Sequence, residues 1–235
     1  MALDWLRHNL HSVSERIHEL GYGIRTSGWL SEDSLGYSKG DGRVHYTPLP
    51  YIPLKRLLAQ VAPNPEKDVF IDWGCGMGRV AVLASAYPYR QVLGVEYADR
   101  LCVIARENIG RSRVRRNCGR IEIVNGDARD FPVPYDASVM FFFNPFRGDL
   151  LTEVIEHIYD SWKKHPREIT FLVSNHTDFI KDTGSSSWLE HIDGWTDYPH
   201  IGCSVIRIVE CSAGLKETVD RQPRRVRITL HPMCG

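Results

Sequence analysis

Residues 69–79 read Val-Phe-Ile-Asp-Trp-Gly-Cys-Gly-Met-Gly-Arg, an apolar run of strand length followed by three glycines at alternate positions. Glycines permit a tight turn and leave no side chain where a ligand must approach the main chain. The acidic residue Asp72 stands two positions before the first glycine. The stretch therefore predicts a strand that ends in a ligand-binding loop, and it indicates a nucleotide-type ligand.

From residue 68 onward, apolar runs of strand length alternate with segments of helical periodicity, which is typical of βαβ units and a parallel sheet. The last two runs are too close together for a crossover helix, so we expect them to be antiparallel partners. We predict an α/β fold with a Rossmann-like, doubly wound seven-strand sheet, mostly parallel with a final antiparallel strand. The predicted strands are 69–73, 91–97, 121–125, 138–144, 169–174, 194–198 and 204–210, and the predicted helices between them are 79–87, 100–109 and 150–162.

The two ends of the chain differ from this pattern. An amphipathic helix is predicted over 4–20, followed by a Gly- and Ser-rich loop, and helical spacing returns within 45–61. We divide the chain into an N-terminal helix and loop over 1–45, acting as a lid or packing element, an α/β domain over 46–212, and a C-terminal tail over 213–235. The tail carries one further predicted strand, over 226–230.

Composition restricts the partners of the protein. The 29 basic and 29 acidic side chains cancel, so no overall positive field favours nucleic acid or an anionic membrane surface. An arginine-rich stretch over 106–120 is interpreted as a solvated connection. No secretory leader and no apolar run of membrane-spanning length is visible, so we expect a cytoplasmic protein without a membrane partner. Nothing in the sequence indicates the oligomeric state.

Cysteine and histidine patterns do not indicate a metal site. The six cysteines are scattered without a C-x-x-C pair, which is typical of reduced, mostly buried thiols. His8, His11, Glu15 and His18 fall on one face of the first helix, and we interpret them as a solvated polar face. We expect no bound metal.

Two further acids follow neighbouring predicted strands. Glu96 ends the second strand, eighteen residues after Gly78, and Asp127 follows the third. An ionised carboxylate at the position of Glu96 can accept both hydroxyls of a ribose, and Asp127 suits an amine donor such as that of adenine. A dinucleotide enzyme is less favoured, because its G-x-G-x-x-G fingerprint would place Arg79 where a helix must pack closely on the sheet.

Over residues 46–210 the chain resembles the class I S-adenosylmethionine-dependent methyltransferases. The resemblance rests on residues 69–79, 92–96 and 126–128. It implies that S-adenosylmethionine is the cofactor and S-adenosylhomocysteine the product, with Asp72 on the methionine amino group, the glycines beneath the cofactor and Glu96 on the ribose. The cofactor-binding set implied is Tyr46, Asp72, Gly74, Cys75, Gly76, Gly78, Glu96, Tyr97, Asp127, Ala128 and Asn144.

Within that class the chain is most similar to small bacterial proteins related to the non-SET histone-lysine methyltransferases. One matching feature is the segment 43–48, in the place of a loop that closes over the methionine end of the cofactor, and Tyr46 and Tyr51 are candidate pocket residues there. The other is Asn144-Pro145-Phe146 at the fourth strand end, the candidate catalytic residues. They resemble the Asn-Pro-Pro-aromatic motif of nitrogen methyltransferases, but the second proline is absent.

These observations predict an enzyme that moves a methyl group to a small molecule or to a side chain of a peptide or protein, at nitrogen. Methyl transfer from a sulfonium is an in-line displacement in which proximity and orientation supply most of the rate. An alternative is a non-catalytic S-adenosylmethionine-binding or partner-binding module on the same fold. For Asn144 a further alternative is a structural role as the cap of the next helix.

Overall fold

The structure is a computed structural model that describes residues 2–175, 179, 181, 183, 186–197 and 201–210, with side chains from residue 12 onward. The predicted strand over 226–230 and the predicted tail over 213–235 lie outside the described residues. The helices bounded within the described part are α1 (Ala2–Tyr22), α2 (Tyr51–Leu58), α3 (Arg79–Ala84), α4 (Asp99–Arg111) and α5 (Asp149–Lys164), with a 3-10 turn over Asp33–Leu35. The strands are β1 (Val69–Trp73), β2 (Gln91–Glu96), β3 (Arg120–Asn125), β4 (Ala137–Phe143), β5 (Thr170–Ser174), β6 (Leu189–Asp197) and β7 (Ile201–Ile208).

These strands form one seven-stranded sheet in the order β3-β2-β1-β4-β5-β7-β6. The pairs among β1 to β5 are parallel, whereas β7 runs antiparallel to both β5 and β6. β2 and β3 lie on one side of β1, whereas β4 and β5 lie on the other. β1 and β4 therefore flank the topological switch point, where the connections that follow the two strands leave in opposite directions. In open α/β sheets ligands bind at this point, beyond the carboxyl ends of the strands. The predicted fold class is confirmed.

The central strand β1 is buried on both faces, as a parallel sheet covered by helices requires. Phe70 packs into an apolar cluster with residues of α2, α3 and α4. Its neighbours Ile71 and Trp73 point to the other face, into a second cluster with residues of α5. The alternation of side chains along the strand therefore divides the core into two layers. Asp72 lies at the carboxyl end of β1, where the glycine loop begins.

Several predicted boundaries differ from the structure, among them the start of β7, at Ile201 rather than 204, and those of β6, α2 and α3. β6 begins at Leu189, five residues before its prediction, because this edge strand is mostly exposed and its sequence lacks the apolar alternation that marks a strand. α2 begins only at Tyr51, after Pro50 as N-cap, because a proline removes a backbone donor and fits at helix starts. α3 ends at Ala84, before Tyr87.

The segment between α1 and α2 crosses the carboxyl edge of the sheet. Short antiparallel bridges join Leu30 to Tyr46 and Arg43 to Phe146. These contacts bring the predicted lid region against the glycine loop and the end of β4. None of the helices in the described part is both long and apolar enough to span a membrane.

Candidate functional site

A cavity of about 80 Å³ lies at the carboxyl ends of β1, β2 and β4. Tyr37 and residues 43–49, from the segment that precedes α2, form part of its lining. Every residue of the implied cofactor-binding set and the candidate catalytic set except Gly78 lines the cavity. The predicted residues brought together there are Tyr46, Asp72, Gly74, Cys75, Gly76, Glu96, Tyr97, Asp127, Ala128, Asn144, Pro145 and Phe146.

The glycine loop turns back under this cavity in a conformation that side chains would obstruct. Gly74 and Gly76 have φ values of 69° and 54°, in the left-handed region that favours glycine. A Cβ at Gly76 would lie 2.4 Å from the ring of Tyr46, and one at Gly74 would lie 2.4 Å from Cβ of Pro145. Both glycines are therefore needed for close packing beneath the cavity.

Gly78 serves a different purpose in the structure. It is the N-cap of α3, with φ of 80°. A Cβ there would lie 3.0 Å from Cβ of Ala105 on α4. It lies outside the cavity lining and permits close packing between α3 and α4.

Asp72 is 2% exposed, and its Oδ2 has no hydrogen-bond partner among the described residues. Burial raises the pKa of this carboxyl well above its ordinary value, and the nearby Glu96 raises it further. A buried polar atom without a partner is costly and is rare in folded proteins. Because Asp72 lines the cavity, an amine entering the cavity would satisfy this oxygen.

Glu96 is held by three donors. Its Oε2 accepts a hydrogen bond of 2.9 Å from the backbone N–H of Gly76, and its Oε1 accepts one of 2.8 Å from the N–H of Ala98. The hydroxyl of Tyr37 donates to Oε1 at 3.2 Å. Burial raises the pKa of Glu96, although the backbone donors oppose that rise. The carboxyl is thus fixed in position at the wall of the cavity.

Asp127 is held by two arginines. Arg129 donates to both carboxylate oxygens, and Arg43 reaches Oδ2 at 2.5 Å. The hydrogen bond from Arg129, with further contributions from its backbone N–H and from Arg43, lowers the pKa of Asp127 to about 2, although partial burial opposes the fall. The Arg43 guanidinium also lies 3.7 Å above the ring centre of Tyr97. Asp127 is therefore an anion at neutral pH.

Tyr37 and Arg43 are site residues that the sequence pattern did not reveal. Each contacts a predicted acid more than fifty positions away in the chain, Glu96 at a separation of 59 and Asp127 at a separation of 84. Arg43 did fall inside the segment whose position suggested a lid. No local periodicity marks either residue, because they belong to a loop.

Asn144-Pro145-Phe146 follows β4 directly. Asn144 has a φ of 45°, a left-handed conformation that is uncommon outside glycine and clusters at functional sites. It does not cap the following helix, since the N-cap of α5 is Gly148, which has no side-chain cap bond. Phe146 is 8% exposed and packs edge-on against Phe142, so it belongs to the core and lines the cavity at once.

One other candidate pocket residue, Tyr51, falls outside the cavity. Tyr51 packs beneath α1, stacked against His18 with ring centres 4.9 Å apart, and does not line the site. The interpretation of Glu15 as part of a solvated polar face is wrong, because its carboxylate pairs with the buried Arg79 and accepts the N–H of Tyr51. Within the part of the chain that the structure describes, no group of three or more His, Cys, Asp or Glu side chains is arranged to hold a metal ion.

Comparisons with known proteins agree with this geometry. A family model described as a methyltransferase domain matches residues 70–176. A protein-lysine N-methyltransferase of Saccharolobus islandicus (strain REY15A) is 30% identical over 133 residues, which cover 56% of this chain and 76% of the relative.

Solved structures share the fold at low sequence identity. A SAM-dependent methyltransferase from Aquifex aeolicus superposes with a TM-score of 0.53 at 12% identity, covering 67% of this chain and 90% of that one. A putative O-methyltransferase from Klebsiella pneumoniae gives a TM-score of 0.50 at 13% identity, covering 76% and 86%. With the relative matched over most of its length and the glycine loop and acids at the expected strand ends, the chain belongs to the class I S-adenosylmethionine-dependent methyltransferases.

Proposed function

We propose that the protein transfers a methyl group to the side-chain nitrogen of a lysine in a peptide or protein. The observation that carries the proposal is the position of Asn144, which lines the cavity without capping α5, beside Pro145 packed on Gly74. The similarity to an enzyme named for protein-lysine N-methylation supports the acceptor class.

The residues of the cavity fit S-adenosylmethionine, which supplies a methyl group activated on a sulfonium. The unpartnered Oδ2 of Asp72 suits the methionine ammonium group. Gly74 and Gly76 leave the backbone open beneath a ligand. We assign the ribose hydroxyls to Glu96 and the adenine amine to Asp127, with the remaining cofactor contacts from Tyr46, Cys75, Tyr97, Ala128 and Asn144.

Catalysis in this proposal depends on holding a neutral amine close and in line. The Oδ1 atom of Asn144 accepts an N–H of the lysine and so directs the nitrogen lone pair. Phe143 and Phe146 supply apolar walls, and an apolar surrounding lowers the pKa of a lysine by desolvation. The proton is therefore lost to solvent as the amine enters, and no dedicated base is required. Proximity and orientation supply the main part of the rate.

The acceptor class is tested with cofactor labelled in its methyl group, incubated with separate protein, nucleic-acid and small-molecule fractions of a cell extract. We expect label in the protein fraction, recovered as methyl-lysine after hydrolysis. The matched control is the same protein fraction with its lysines acetylated beforehand, which should take up no label. Label in another fraction, or label that survives acetylation, contradicts a lysine acceptor.

The role of Asn144 is tested by Asn144→Ala with a confirmed acceptor. We expect kcat to fall by about 10- to 100-fold, since an orienting hydrogen bond is lost, while the affinity for S-adenosylhomocysteine falls by a smaller factor, because Asn144 is one of several assigned cofactor contacts. The control is Asn175→Ala at the end of β5, also at positive φ but outside the cavity lining. An equal loss in both variants would attribute the effect to the backbone.

A further inference from the structure

Residues 37–43, here called the strap, lie directly on the groups assigned to adenosine. Tyr37 bonds to Glu96, and Arg43 contacts both Tyr97 and Asp127. The strap is anchored at its carboxyl end, where the N–H of Arg147 donates to the carbonyl of Gly42 at 2.8 Å. Two side chains thus cover three of the assigned cofactor contacts.

At Glu96, the hydrogen-bonding capacity limits what can bind together. An ionised carboxylate offers about four lone-pair sites. Two accept backbone N–H groups and one accepts the Tyr37 hydroxyl. A ribose diol brings two donors, so one of the present donors must leave. The two backbone donors are fixed by the fold, and the 3.2 Å bond from Tyr37 is the longest of the three.

At Asp127 the arginine donors and an adenine amine compete more strongly for the same carboxylate. Four donor atoms already point at its two oxygens, three from Arg129 and one from Arg43. The Arg43 guanidinium is planar, and at 3.7 Å from the Tyr97 ring centre it takes the space of a stacked ring. An adenine on the same tyrosine, with its amine on the same carboxylate, would occupy the volume that Arg43 holds.

The size of the cavity agrees with this overlap. Its volume of about 80 Å³ is below the roughly 300 to 1,000 Å³ of pockets that enclose a drug-sized ligand. Gly36, directly before the strap, and Gly40, within it, have φ values of 74° and 78°. A Cβ built at either glycine would have no atom within 4 Å, so packing does not fix the strap at these two positions.

We propose that the strap is an internal competitor for the adenosine half of the cofactor: Arg43 takes the place of adenine and Tyr37 that of a ribose hydroxyl, and the cofactor binds after both are displaced. The inference rests on the proposed contacts of Glu96 and Asp127. The apparent dissociation constant then equals the intrinsic one divided by the fraction of molecules whose strap is open.

The first test is the affinity for S-adenosylhomocysteine, measured by titration calorimetry on the full chain. Arg43→Ala should bind about tenfold more tightly than the unmodified protein, because a charge-assisted contact that holds the strap closed is removed. Tyr37→Phe should also bind more tightly, by a smaller factor. Unchanged or weaker binding in Arg43→Ala overturns the proposal, since a true cofactor ligand would lose affinity.

Lys39→Ala is the matched control. It removes one positive charge from the same segment, and Lys39 is exposed, with no hydrogen bond or ion pair to any residue that the structure describes. Its affinity should equal that of the unmodified protein. Glu96→Gln tests the ribose assignment on which the strap proposal rests. Unchanged affinity in this variant would contradict both the ribose assignment and the strap proposal.

A second readout does not depend on any variant. If the strap is displaced, trypsin should cleave after Lys39 faster when S-adenosylhomocysteine is present than when it is absent. Slower cleavage would mean that the segment closes over the cofactor, which overturns the proposal. Cleavage after Lys67, in an exposed turn outside the cavity lining, serves as the internal reference and should not change.

Discussion

At the scale of single residues, Asp72 is costly to bury, because this acidic residue is only 2% exposed. It is fully enclosed beside a second carboxyl, Glu96, and one of its oxygens lacks a partner among the described residues. Burial raises the pKa of both groups. Both carboxyls therefore bind a proton more readily than an exposed carboxyl does, and a bound ammonium group beside Asp72 would oppose that protonation. A group kept in this condition is typical of a ligand site.

The raised pKa of Asp72 predicts how the affinity for S-adenosylhomocysteine depends on pH. In the free protein the pKa of Asp72 lies well above its ordinary value, and a cationic amine beside it would lower the pKa in the complex. The complex thus holds fewer protons than the free protein, so affinity rises with pH until the pKa of the free protein is passed. Calorimetry of S-adenosylhomocysteine over a pH series, in buffers of different ionisation heat, should show this rise together with proton release.

The control for this prediction is Asp72→Asn, which cannot release the proton. We expect its affinity to be much weaker and its pH dependence to be shallower, with the remaining slope due to Glu96. Its free form should be more stable than the unmodified protein by about 1 kcal/mol, because a buried ionisable group without a full set of partners is removed. An affinity of the unmodified protein that falls as pH rises would contradict the assignment of Asp72.

At the scale of elements, the glycine loop joins the end of β1 to the start of α3 and lies beneath the cavity. We predict that Gly76→Ala costs about 1 to 2 kcal/mol of stability, the ordinary cost of a left-handed residue with a side chain. It should also weaken S-adenosylhomocysteine at least about tenfold, because the new Cβ would lie 2.4 Å from the Tyr46 ring and push it into the cavity. Denaturant unfolding and calorimetry measure the two effects.

Gly110→Ala provides the comparison. Gly110 lies in α4, without a positive φ and with nothing within 4 Å of a built Cβ. Alanine there should stabilise the protein by about 0.5 to 1 kcal/mol, since glycine is unfavourable within a helix, and binding should not change. If Gly76→Ala bound as tightly as Gly110→Ala, the loop would not lie under the cofactor.

Helices and strands were predictable from the sequence where burial requires a recognisable pattern of apolar residues. β1 and β4 are covered on both faces, so nearly continuous apolar runs reveal them and their ends place Asp72 and Asn144 correctly. The start of β6 was missed because an exposed edge strand needs no apolar pattern. Arg43 and Tyr37 were missed for another reason: a loop residue finds its partner through the folded backbone, and the partner's position leaves no mark on the local sequence.

At the scale of the whole molecule, Arg79 connects the N-terminal helix to the sheet. In the sequence Arg79 served only to disfavour a dinucleotide fingerprint, whereas the structure buries it to 3% exposure. It donates to Glu15 and Glu19 on α1, and it lies 4.1 Å over the Tyr51 ring. Its remaining donors reach Thr26, Ser27 and the carbonyl of Leu49. One residue of the glycine loop's helix therefore holds α1 and both ends of the segment that covers the cavity.

We predict that Arg79→Met destabilises the protein by about 3 to 5 kcal/mol, because removing one partner of a buried ion pair leaves carboxylates without compensation. Hydrogen exchange over 12–22 should increase most, since both carboxylates that pair with Arg79 belong to α1. Arg90→Met is the matched control: Arg90 pairs with Asp136 but is 41% exposed, and exposed pairs contribute less than about 1 kcal/mol. Equal destabilisation in urea for the two variants would mean that the ion pairs with Glu15 and Glu19 do not hold α1, and the cover over the cavity would then be independent of Arg79.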